Sequence, residues 1–355
     1  MKEARNNVAK QSWFKRHENA TPLTVLLCFA VAIVIMQLIT SGARGKVEYP
    51  SFITPVNVLN ILMQIAVPGI VAVGMSMVII MGGIDLSVGM LASLVSIVSA
   101  LGISVWGLGL WPSLLVGIAT AVVLETLVGF VISRTKVEPF IMTLGAMIAY
   151  QGIALLLCNS REVVLQGELD FLKANLIKGV LDPVNGLNLT ITPYVIIFLL
   201  IVVIIWAVMK FSRFGRRIYA IGCNPNAAYL AGVNVKNTKL LVYAVHGLLV
   251  GIGAVLLLAR INVGIITNGQ NMEIDAIAMA VIGGIAMSGG KGNIWGTLIG
   301  ILLLGSISNA MNMLRLPSEV SFVAKGVIIM VAVSASYLSP GIKKLFAKSH
   351  KKITV

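Results

Sequence analysis

The chain has 355 residues, 58% of them hydrophobic and only 11% charged, with a mean hydropathy of +0.96. A soluble domain of this length carries about a quarter charged residues, so lipid must be the main solvent of this one. The net charge of +14 does not point to nucleic acid, because the basic residues lie in short stretches between apolar runs, as in an integral membrane protein.

A polar segment, residues 1–20, comes first. The apolar run behind it is long enough to span a membrane and reads as a retained anchor, not a cleaved signal. A bilayer core needs about 20 mainly apolar residues in a helix. That rule predicts spans at 21–41, 57–81, 88–104, 112–133, 139–158, 190–210, 240–260, 274–289, 293–313 and 319–338, the third and eighth being short and broken by glycine. A basic tail, 339–355, closes the chain. The expected fold is an all-α polytopic bundle of about ten transmembrane helices filling 21–338.

Charge placement gives the sidedness. With the N-terminus inside, the inner segments hold 19 basic residues and the outer ones 7, with Lys325 inside the last span. That bias follows the positive-inside rule and puts both termini in the cytoplasm. Segment 159–189 becomes the largest external loop, with Glu162, Glu168, Asp170 and Asp182, and with Pro183 and Gly186 as turn formers. Cys28, Cys158 and Cys223 show no paired spacing and read as small buried hydrophobes.

Two glycine-rich breaks echo each other. Gly82, Gly83, Asp85, Ser87 and Gly89 follow the second span, and Gly283, Gly284, Ser288 and Gly290 recur 201 positions later, behind the apolar run that opens the eighth. Either the bundle is duplicated or the likeness is chance. Asp85 is either a helix cap assisted by Ser87 or part of a transport path; Ala286 stands at its place in the second copy. The GGKG at 289–292 is no phosphate loop, since Ile285 stands where the first glycine belongs and Gly292 where Ser or Thr belongs.

Loop 211–239 carries six basic residues, counting Lys210, and no acid; among them is Arg216, next to Gly215. Within it Asn224 and Pro225 form a helix start, Asn226, Ala227 and Ala228 lie in about two turns, and Gly232 is a helix stop. A short capped helix with two alanines lets another surface approach its backbone closely. The alternative is a solvated basic loop lying on lipid headgroups. Ala227-Ala228 followed by Gly232 resembles the loop by which ABC importer permeases engage their ATPase subunits, with Asn226 where that pattern has Glu. The whole of FGRRIYAIGCNPNAAYLAGVNV is similar to the cytoplasmic loop of the ribose-type sugar permeases. So are MGGIDLSVGMLAS at 81–93 and the stretch from Met272 to Leu314, and looser similarity runs from about Leu59 to Tyr337.

The resemblance implies a permease of the bacterial cytoplasmic membrane that pairs with a second copy or a paralogue. It also implies a cytoplasmic ABC ATPase that binds the ATP, and an extracytoplasmic sugar-binding protein; no cofactor, metal or nucleic acid is expected on this chain. Amides and aromatics at Asn60, Gln64, Tyr150, Gln151, Asn309 and Asn312 are candidates for the solute path or for hydrogen bonds between helices; Asn309 and Asn312 share a helical face. Glu125 lies deep in the fourth span without a family pattern to explain it. Glu273 and Asp275 suit a helix N-terminus or a binding-protein contact, and His246 reads as a packed neutral histidine. An ion-coupled secondary transporter would have to use Asp85, Glu125 and His246, and permeases for amino acids, nucleosides or autoinducer-type sugars are the nearer rivals.

Overall fold

The computed structural model describes residues 30–31, 33–38, 52–173, 177–181, 188–317, 319–327 and 330. The expected segments 1–20 and 339–355, Cys28, and the turn with Asp182, Pro183 and Gly186 lie outside them. Among the described residues ten helices carry the bundle: α1 (Pro55–Ile80), α2 (Val88–Ser104), α3 (Leu110–Arg134), α4 (Pro139–Leu157), α5 (Pro193–Phe211), α6 (Arg213–Cys223), α7 (Pro225–Leu230), α8 (Val235–Ile261), α9 (Met272–Ile282) and α10 (Ile294–Met313). Residues 33–38 and 319–327 are helical as well.

Among the described residues, six helices are long and apolar enough to cross a membrane: α1, α3, α4, α5, α8 and α10. Two expected spans differ. The third is α2, only 17 residues, and the eighth is α9, only 11. Neither has to match the bilayer, because most residues of both are buried by other helices. The first and last expected spans are described only in part, as helix at 33–38 and 319–327.

The helices start where sequence chemistry allows. Thr54, Asn234 and Asn293 accept the first free amides of α1, α8 and α10, and proline opens α1, α4, α5 and α7. Helices α1 and α8 form the enclosed hub, whereas α4 faces mostly outward. Aromatics mark both ends of the bundle. Lys210 Nζ lies 5.0 Å over the Trp206 ring, which meets Trp295, at the α6–α7 end; Trp106 and Trp111 are exposed at the other.

The chain is not wholly helical. Strand β1 (Val163–Val164) pairs antiparallel with β4 (Val263–Gly264), and β2 (Ile177–Leu181) with β3 (Asn188–Ile191). Both pairs lie at the end away from α6 and α7, where backbone groups outside a helix need partners. Asn262 ties this region down by donating to Asp170 Oδ1, which also pairs with Lys173 at 2.7 Å.

The broadest helix contact joins α3 to α8 along small residues. A side-chain carbon on Gly247 would meet Glu125 and the Ala121 carbonyl at 2.7 Å, and one on Gly251 would meet the Ile118 backbone. This four-residue glycine spacing brings backbones close where hydrophobic driving force is weak. Gly247→Leu should therefore destabilise the detergent-solubilised protein by about 1–3 kcal/mol of overpacking, read as a lower Tm. Gly145→Leu on α4, with open space around it, should leave Tm unchanged.

Candidate functional site, a junction of two broken helices

Helix α1 ends in a left-handed glycine. Gly82, with φ 93°, donates to Ile79 O, and Gly83 donates to Val78 O, closing the terminal carbonyls. Helix α9 ends the same way, with Gly284 at φ 90° donating to Val281 O and Ile285 donating to Ala280 O. The structural repeat thus pairs Gly82 with Gly284, an offset of 202, one more than the sequence echo. In that register Met287, not Ala286, stands opposite Asp85.

The two breaks touch. Gly290 N–H donates to Ile80 O at 2.8 Å, and a side-chain carbon on Gly289 would meet Gly82 at 3.1 Å. The third component is α6, a helix that the sequence reading merged into the loop. Its Ile218 and Ile221 are buried, Arg216 and Arg217 are exposed, and the Ser212 hydroxyl accepts from the Gly215 amide at its start. The signal was present: isoleucines three apart, flanked by arginines, on one amphipathic turn.

Helix α6 ends on the breaks. Tyr219 donates to Gly292 O at 2.9 Å, and burial pushes its hydroxyl up from the ordinary tyrosine range, so it stays a donor. Gly222 packs against Ile80 O and Gly290 N so closely that a side-chain carbon would clash with both. Cys223 sits over Gly290 and is exposed, not buried as expected. Gly290 belongs to this contact, Ser288 is exposed beside it, and Gly89 packs against Gly269 and Glu273 on the far side of the first break.

Helix α7 starts at Pro225 and stops before Gly232, as its cap residues predict. Asn224 Oδ1 accepts from the Asn226 and Ala227 amides, both at 3.0 Å, and Gly232 has φ 82°. Ala228 is buried, whereas Tyr229 and Leu230 are 71% and 85% exposed. A bulky residue at Ala228 would therefore unseat the helix, whose projecting side chains are Tyr229 and Leu230.

The predicted path residues separate. Asn309 is buried and donates to Asn57 Oδ1 at 2.7 Å, a partner that the sequence reading missed. Asn312, expected on the same face, is exposed, as are Asn60 and Gln151; Tyr150 is buried. Gln64 lines a cavity of about 260 Å³ together with Arg260, Asn268, Gln270, Asp275 and Lys325. Pro68 has no N–H to give to the Gln64 carbonyl, and Arg260 reaches that carbonyl at 3.5 Å. Asp275 lies in the first turn of α9, as expected, and Lys325 donates to both its oxygens, at 2.9 and 3.0 Å. Asp85 Oδ1 accepts from the Ser87 amide and hydroxyl, closing the turn before α2, not the first amides within it.

Spanning helices, two broken helices locked together and a projecting capped helix define a polytopic transport subunit. The chain belongs to the family described as branched-chain amino acid transport system / permease component, whose model matches residues 57–333. It is 38% identical to the ribose import permease protein RbsC of Bacillus subtilis, over 80% of this chain and 85% of that one. It is 35% identical to RbsC of Haemophilus influenzae, over 89% and 94% of the two chains. Against the xylose transport system permease protein XylH of Escherichia coli the identity is 32%, over 88% and 91%. The ribose-type resemblance of its motifs is borne out.

The cap can be tested by itself. Asn224→Ala should weaken α7 by about 1 kcal/mol, seen as faster hydrogen exchange at Asn226 and Ala227 with exchange in α8 unchanged.

Proposed function

We propose that this chain is the membrane-spanning subunit of an ATP-binding-cassette importer in the cytoplasmic membrane and that it carries a monosaccharide of the pentose class. The names of its relatives favour ribose and xylose over the amino acids in the family's description. The α6–α7 end then faces the cytoplasm, in line with the basic bias of the sequence, and both termini lie on that side of a bundle of about ten spans. The chain supplies no nucleotide site. A separate ATPase docks on Tyr229 and Leu230, and a binding protein delivers the sugar at the opposite end.

One observation carries the reading: the projecting helix is not on a free loop but is tied through Gly222, Tyr219 and Cys223 to both breaks. A push on α7 reaches the ends of α1 and α9 through backbone contacts that leave little room for slack. Helices broken inside the bundle are where a transporter can tilt one part against another.

The cavity at the other end supports a small neutral solute. Its volume lies just below the roughly 300–1,000 Å³ of common ligand sites. Asp275 and Lys325 pair with each other and Arg260 is turned to the Gln64 carbonyl, so amides and carbonyls remain beside them for hydroxyl groups. Asn60 and Asn312, exposed on α1 and α10, cost energy toward lipid and suit a face shared with a second permease. Gln151 and the buried Tyr150, both on α4, do not line that cavity.

Two variants separate docking from transmission. Leu230→Asp should abolish co-purification with the ATPase while membrane insertion persists. Gly222→Val should keep the ATPase bound but reduce uptake to background. Loss of neither uptake nor binding in both variants would dismiss the coupling role.

A further inference from the structure

Asp85, Glu125 and His246 have no exposed surface, yet they share one enclosure. Glu125 is nine residues before the end of α3 and His246 eleven after the start of α8, so both lie about 15 Å into the bundle. The enclosure is walled by glycine: a side-chain carbon on Gly74 would clash with His246 Nδ1, and one on Gly247 with Glu125.

The hydrogens in this cluster can be counted. The Ser87 hydroxyl lies 2.6 Å from Asp85 Oδ1 and 2.9 Å from Glu125 Oε1. It carries one hydrogen, and an ionised carboxylate only accepts. With both acids ionised, one of these two contacts would bring lone pairs together with no hydrogen between them. A proton on one acid completes the chain: that acid donates to Ser87 Oγ, and Ser87 donates to the other. Asp85 Oδ1 already accepts the Ser87 amide at 2.8 Å, which makes Asp85 the carboxylate and Glu125 the seat of the proton.

A second observation points into the same place. Among the described residues neither imidazole nitrogen of His246 has a hydrogen-bond partner, and Nε2 stands 3.6 Å from Asp85 Oδ2, which has none there either. The other ionisable groups bearing on the two acids are Tyr243 of α8, Tyr150 of α4 and Glu273 of α9. Among the described residues, no three His, Cys, Asp or Glu side chains are placed to hold a metal ion.

We propose that Asp85, Ser87, Glu125 and His246 form a buried proton-binding site, with one proton held between the carboxyls and His246 as the group that exchanges it. The ligand is a proton, not a solute, so the site is separate from the cavity described above. It joins the first break to α3 and α8, and its occupancy sets how tightly these elements close. A bound proton keeps Asp85 and Glu125 together. Losing it as the pH rises places two like charges in a buried enclosure and drives them apart.

Infrared spectroscopy of the purified full chain in lipid nanodiscs tests this directly. The parent protein at neutral pH should show the carbonyl stretch of a protonated, hydrogen-bonded carboxylic acid, shifted in deuterium oxide. Glu125→Gln should remove that band, and Glu273→Gln should retain it. Absence of the band from the parent protein overturns the proposal, as does its survival in both Glu125→Gln and Asp85→Asn. In proteoliposomes of the assembled importer, parent uptake should fall toward alkaline pH, whereas Glu125→Gln, normalised to its own neutral value, should lose that fall. An unaltered profile in Glu125→Gln also overturns it.

Discussion

A helix that stops within a packed apolar bundle leaves carbonyls and amides that its neighbours' side chains cannot satisfy, and that constraint shapes this molecule. Helices α1 and α9 both stop in the bundle. Each closes its own last turn with a left-handed glycine, and the remaining carbonyl of Ile80 is met by the Gly290 amide of the other break. The breaks are thus partners in one structure. Any rearrangement of one must find a new partner for Ile80 O, so the two move together or not at all.

Charge is handled by the same rule of mutual satisfaction. Buried ionic groups are tolerated where they are paired or hydrogen-bonded. Lys325 finds Asp275, Arg260 finds the carbonyl that Pro68 cannot serve, and Asp85 is matched by Ser87 and Glu125. These pairs join elements far apart in the chain: the helix at 319–327 to α9, α8 to α1, and the first break to α3. A polar group that would be costly alone thereby fixes how two helices sit against each other.

What the sequence disclosed was local. Asn224, Pro225 and Gly232 are cap and stop residues whose preferences act within one or two turns, and they marked α7 correctly. Glycine runs marked both breaks for the same reason. Properties that arise between distant segments were not legible. Asp85, Glu125 and His246 were named together only as what an ion-coupled transporter would need; that they meet was not legible, because no spacing rule links a break to the middle of two other helices. Asp275 read correctly as suited to a helix N-terminus, but its partner Lys325, 50 positions away, was not legible. The echo was misplaced by one residue because letters align Gly82 with Gly283, whereas hydrogen bonding aligns Gly82 with Gly284. Helix α6 was missed because its six-base surroundings looked like a solvated loop, although Ile218 and Ile221 were spaced for a buried face.

The position of α8 connects these features. It begins just after the Gly232 turn, carries Tyr243 and His246 beside the acids, and ends at Arg260 against the Pro68 carbonyl gap. A rod of 27 residues, about 40 Å long, therefore touches the projecting helix, the buried acids and the outer cavity in turn. Under the proposed function, a displacement at α7 need not travel through a chain of soft side chains. It shifts one rigid helix whose seam with α3 is lined by glycine, and close backbone contact there leaves little compliance to absorb the movement. The acids sit on that seam, so whatever holds them together also sets the stiffness of the link between the two ends of the bundle.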